Sequence, residues 1–201
     1  MKRLCAEFLG TFFLAVAIIY THNLFTIGLM FMAMVYLFGP ASGGHFNSAV
    51  TLASWLRGKI NTKDALLYSL AQVAGAVVAA LSFGGLTGQP TALKVGAGPE
   101  MWVTAGSELL LTFVFVGVVL VLTTTNRYAG LIENGIIMGL TLVAVASFPF
   151  GFYNPAVAAG AEIADLINNV SATSVHTLLV HVVLPFVGAS LAAWKVKMLN
   201  Y

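Results

Sequence analysis

The sequence predicts an all-α integral membrane fold of six transmembrane helices and two re-entrant half-helices, arranged as an inverted repeat. Three observations carry this. Of the 201 residues 59% are apolar and 8% charged, with a mean hydropathy of +0.94, far outside the range of a water-soluble domain. Apolar runs close to the roughly 20 residues needed to cross a bilayer recur along the whole chain. A short polar stretch, Asn-x-Ala-Val, stands once in each half, in GGHFNSAVTLASW over 43–55 and GFYNPAVAAGAE over 151–162.

Taken in order, the apolar runs place spans at 5–21, 24–39, 65–86, 102–124, 131–149 and 176–197. Lys2 and Arg3 precede the first, as they would in a signal peptide, but no small-residue cleavage site stands out and Glu7 interrupts the run early, so the segment reads as a span. Two further segments, 47–57 and 155–166, are helical in pattern and too short to cross, which makes them half-helices. The stretch 87–100, TGQPTALKVGAGPE, has three Gly and two Pro and no apolar run, and reads as the loop joining repeats of about 1–86 and 101–201 within one transmembrane domain. The single cysteine, Cys5, excludes a disulfide framework within the chain and a zinc site of several thiolates.

The basic residues set the expected orientation. Lys2, Arg3, Arg57, Lys59, Lys63, Arg127, Lys195 and Lys197 all fall on one side of a six-span chain, and only Lys94 falls opposite. The positive-inside rule therefore places both termini and the first half-helix on the cytoplasmic side, and the second half-helix outside. The net charge of +2 is scattered, with no basic patch for nucleic acid.

The halves also match in detail. Glu7 and Thr11 in AEFLGTFFL correspond to Glu108 and Thr112 in SELLLTFVF, 101 positions on (108 minus 7, 112 minus 11). Gly28 and Asn47 correspond to Gly135 and Asn154, 107 positions on (135 minus 28, 154 minus 47). Three spans per half, an odd number, invert the second half relative to the first, which is an architecture of transporters and channels with a site near the midplane.

At these residues the sequence resembles the aquaporin, or major intrinsic protein, family. The resemblance runs through Ala6–Thr11, Ser42–Thr51, Ala71–Ala76, Glu108–Phe113, Asn154–Ala156 and Pro185–Ala189. It implies two half-helices meeting end to end at the membrane centre, with the boxes Asn47-Ser48-Ala49 and Asn154-Pro155-Ala156 at the meeting point. It also implies a homotetramer with one pore per subunit and passage of water and small neutral solutes, with no cofactor and no bound metal. Each Asn can cap its half-helix and still present a side-chain N–H to the pore. Two helix N-termini facing one point oppose cations and protons.

Glu7 and Glu108 admit two readings, a proton relay or an anchor for the re-entrant loops; the resemblance implies the anchor. His45 is expected to organise the first loop or line the cytoplasmic mouth, since no second ligand has metal spacing with it. His176 and His181 are five apart, which is awkward for one helix face and for a shared metal. Gly75 and Gly188 are expected to permit close helix contact.

Two departures from the family pattern bear on specificity. Ser48 stands where the family usually has Pro, giving a less preset cap. Val157 stands where the family usually has an arginine, and the other filter positions implied by the resemblance are Ile27, Leu142 (Ala144 if the register of the fifth span shifts) and Gly151. All are apolar, so the outer mouth is expected to be wide and greasy, as in a prokaryotic subgroup with Val at this place, some members of which are associated with neutral metalloid hydroxides. The expected function is a passive channel in a prokaryotic inner membrane, passing water and small uncharged solutes such as glycerol. The alternatives are a non-conducting scaffold or adhesion protein, and an intramembrane hydrolase using Ser42 or Ser48 with His45, for which no third group orients the His. Asn169-Val170-Ser171 fits a glycosylation acceptor by chance composition.

Overall fold

The computed structural model describes residues 1–89, 99–124, 130–148, 151–168 and 175–199. Lys94, Arg127, the Asn169-Val170-Ser171 triplet and most of the expected 87–100 loop lie outside them. The described chain forms α1 (Lys2–Thr21), α2 (Leu24–Ser42), α3 (Ser48–Leu56), α4 (Thr62–Thr87), α5 (Pro99–Thr124), α6 (Leu131–Ala146), α7 (Pro155–Ile167), α8 (Val175–Leu178) and α9 (Leu184–Met198), with a π-helical turn, Leu179–Val183, between the last two.

Local chemistry explains the ends. Asn23 caps α2 by accepting from the Thr26 N–H at 3.0 Å, and Asn61 caps α4 by accepting from the Asp64 N–H at 2.9 Å. Pro99 opens α5, where its missing N–H costs nothing. The 131–149 span is shorter than expected. Helix α6 stops at Ala146, where the Ser147 hydroxyl turns back to donate to the Ala144 carbonyl at 2.6 Å. Five helices among the described residues are therefore long and apolar enough to cross a membrane, and α6, at 16 residues, is a shorter apolar helix.

The last span is interrupted rather than a single α-helix. Pro185 has no N–H and its ring would press on the carbonyl four residues back, that of His181. The backbone relieves this by widening into the π turn, with the Leu184 N–H bonding five residues back to Leu179.

The packing obeys the repeat. Helix α1 lies on α4 as α5 lies on α9, α1 meets α2 as α5 meets α6, and α2 crosses α6. Each half-helix packs on the last long helix of the other half, α7 on α4 and α3 on α9. Gly28 and Gly135 both sit at the α2–α6 crossing. A Cβ at Gly75 would come within 2.3 Å of the Phe8 carbonyl oxygen, and one at Gly188 within 2.3 Å of the Leu109 carbonyl oxygen. Phe8 and Leu109 are themselves repeat mates, so the same backbone approach, open only to glycine, recurs in both halves.

Candidate functional site

The site is built where α3 and α7 begin. Asn47 and Asn154 have extended backbones and cap these half-helices. Asn47 Oδ1 accepts from the Ala49 N–H at 2.8 Å, and Asn154 Oδ1 accepts from the N–H groups of Ala156 at 3.1 Å and Val157 at 3.4 Å. Their amide nitrogens then cross over. Asn47 Nδ2 donates to the Tyr153 carbonyl at 2.8 Å, and Asn154 Nδ2 donates to the Phe46 carbonyl at 2.9 Å. A carboxamide carries two N–H bonds, so each Asn keeps one beyond this reciprocal clasp.

Phe46 and Tyr153, the residues before the two Asn, adopt left-handed backbones with φ of 47° and 52°. For bulky side chains this costs about 1–3 kcal/mol each and persists only where the surroundings demand it. The demand comes from two buried glutamates. Glu7 accepts from the N–H groups of His45 at 3.1 Å and Phe46 at 2.8 Å, from the Ser42 hydroxyl at 2.5 Å and from Gln72 Nε2 at 2.7 Å. Glu108 accepts from the N–H groups of Phe152 at 2.7 Å and Tyr153 at 2.9 Å, and lies 2.5 Å from His181 Nδ1. Both carboxylates are fully buried, and each accepts from two backbone N–H groups of one re-entrant loop.

His45 is half-buried, with its Nδ1 3.0 Å from Thr51 Oγ1, and it lines a cavity of about 540 Å³ at one mouth together with Arg3, Ser42, Lys59, Asp64 and Tyr68. The Ser42 hydroxyl donates to Glu7 and His45 Nδ1 lies on Thr51, so Ser42 and His45 are each engaged elsewhere.

Between the two Asn lies a cavity of about 10 Å³, room for about one water molecule. Asn47, Asn154, Leu142, Phe31 and Phe115 are among its walls. Ser48, Ala49, Pro155 and Ala156 are buried behind the two caps. The four outer-mouth positions do not converge on one ring. Leu142 reaches the cavity, and half-buried Ile27 packs in the same apolar cluster. Gly151 is half-buried beside the Tyr153 ring. Val157 is fully buried in a different cluster, against Ala15 and Ile19 of α1 and Ala76, Ala79 and Ala80 of α4, because the first turn of α7 faces those helices. Ala144, the alternative to Leu142, is exposed on the outside of α6.

Sequence reasoning missed the groups that support the glutamates. Gln72 and His181 are polar residues inside apolar spans, a signal that was present. Phe31 and Phe115 gave none, being two of 14 phenylalanines.

Comparison with known proteins places this geometry. The family described as Major intrinsic protein matches residues 1–195. Glycerol uptake facilitator protein-like 6 of Lactiplantibacillus plantarum is 32% identical, over 100% of this chain and 99% of its own. Aquaporin Z of Brucella melitensis is 31% identical, over 97% of each chain. In three dimensions the chain is similar to the aquaglyceroporin from Plasmodium falciparum, with a TM-score of 0.85 over 99% of this chain and 96% of the other at 22% identity, a likeness of fold.

Proposed function

The chain belongs to the major intrinsic protein family, and from that premise we propose that it conducts water and small uncharged solutes of glycerol size, with neutral metalloid hydroxides as further candidates. The observation that carries this reading is the pair of Asn side chains, each capping one half-helix, bonded to the opposite loop and lining one water-sized cavity. Two helix N-termini there supply a positive potential, which repels cations and leaves neutral molecules that can accept a hydrogen bond. No fixed charge stands at Ile27, Leu142, Gly151 or Val157, the positions where the family pattern puts its outer filter, so no guanidinium narrows that mouth. Glu7, Glu108 and His45 hold the loops that form the path.

The protein is a multi-pass membrane protein, and we place it in a bacterial inner membrane with both termini cytoplasmic, as a homotetramer with one path per subunit. Bacterial relatives and the one-sided basic residues support this placement.

Reconstituted into proteoliposomes, the wild type is expected to swell in an inward glycerol gradient faster than protein-free vesicles, while holding a cation gradient. Asn154→Asp puts a carboxylate between the helix ends and is expected to raise cation leak. Swelling no faster than bare lipid would sink the proposal, and unchanged cation leak in a folded Asn154→Asp protein would remove Asn154 from the path.

A further inference from the structure

We infer that the size cut-off of this path is set at the midplane, by the rings of Phe31 and Phe115, rather than at the outer mouth. The inference rests on the channel reading above and deepens it.

The two rings meet edge to face, with centroids 5.5 Å apart and planes at 68°, one from each half of the chain. Both are 1% exposed, and both form walls of the small cavity that also contains the two Asn. At about 10 Å³ that cavity takes about one water, with Leu14 and Ile18 of α1 completing its apolar wall. Of the four apolar outer-mouth positions only Leu142 shares the cavity, and Val157 is folded away against α1 and α4. The narrow place thus coincides with the phenylalanine pair.

The rings are also held in place. Phe31 sits edge to face on Phe46, with centroids 6.2 Å apart and planes at 80°. The Phe46 ring in turn rests on Gly10 of α1, where a Cβ would come within 2.2 Å of it. Phe46 is fixed at its backbone by Glu7 and Asn154. The stack Gly10–Phe46–Phe31–Phe115 therefore ties the ring that narrows the cavity to the loop that positions an Asn, so a glycerol-sized solute passes only as these packed rings give way, at a cost water does not meet. The repeat mates show that the aromatic pair is not required by the fold. Leu14 corresponds to Phe115 at the 101 offset, and Met138 corresponds to Phe31 at the 107 offset; both are buried in the same core.

Each half thus supplies the other's replacement. In proteoliposomes, Phe115→Leu and Phe31→Met are measured against wild type with water, urea, glycerol and erythritol, alongside Leu29→Ala on the exposed face of α2 as a control that keeps the wild-type cut-off. Reconstituted protein and helical content normalise each rate. Either substitution is expected to raise the glycerol-to-water permeability ratio about five-fold, equivalent to about 1 kcal/mol of relative barrier. Phe31→Trp is expected to lower it. If the wild type fails to conduct at all, the channel reading fails. If the wild type conducts and the ratio stays at its wild-type value in the folded Phe31→Met, Phe31→Trp and Phe115→Leu proteins, the midplane cut-off is wrong and the limit lies elsewhere. Should Phe115→Leu fail to fold, the opposed shifts of Phe31→Met and Phe31→Trp decide the matter.

Discussion

Position 157 shows a side chain expected at the outer mouth and folded into the packing instead. Val157 is fully buried in an apolar cluster with residues of α1 and α4, where a guanidinium would have to be accommodated at the cost of that packing. An arginine introduced there must turn out of that packing toward the path, adding bulk and five N–H donors. Val157→Arg is therefore expected to cut glycerol permeation about tenfold, the effect of about 1.4 kcal/mol of added barrier, with a smaller loss for water. Paired uptake rates from the same vesicle preparation check this; equal losses of both would indicate plugging, and no loss would take position 157 out of the filter.

The elements that matter most are the two re-entrant loops and their anchors. They are similar in plan but not in chemistry: a carboxylate on α1 is steadied by Gln72, and its mate on α5 by His181 from the π turn. The turn exists because Pro185 breaks the α pattern, and the widened backbone carries His181, buried, to Glu108. Losing either glutamate strands two backbone N–H groups in the membrane interior and releases a strained residue at φ near 50°. Glu7→Ala and Glu108→Ala are expected to destabilise by about 2 kcal/mol or more, read as a lower melting temperature of detergent-solubilised protein. Variants that melt with the wild type, and instead shift the pH profile of transport, would return the proton-relay reading.

Legibility followed the same division by chemistry. Half-helices, caps and glutamates could be read because asparagine and carboxylate are rare in apolar spans and their spacing repeats at 101 and 107 positions. The crossed Asn-to-carbonyl bonds could not, since they join residues more than 100 positions apart through backbone groups that every residue carries. The short α6 and the π turn were hidden by hydropathy, which counts apolar residues without sensing a proline's missing N–H or a serine's back-bond.

At the scale of the whole molecule, two halves of opposite direction join into one path. Side chains of α1, α2, α5 and α6 wall one small cavity, and α3 and α7 bring their two N-termini to it. Water crossing by such a path would not dissolve in hydrocarbon, and its barrier would differ from that of lipid in kind. The most direct test is the temperature dependence of osmotic water permeability, measured by stopped-flow light scattering on proteoliposomes and on matched protein-free vesicles. A conducting path predicts a faster rate with a distinctly shallower temperature dependence than bare lipid; a rate and slope that coincide with those of the protein-free bilayer would contradict it.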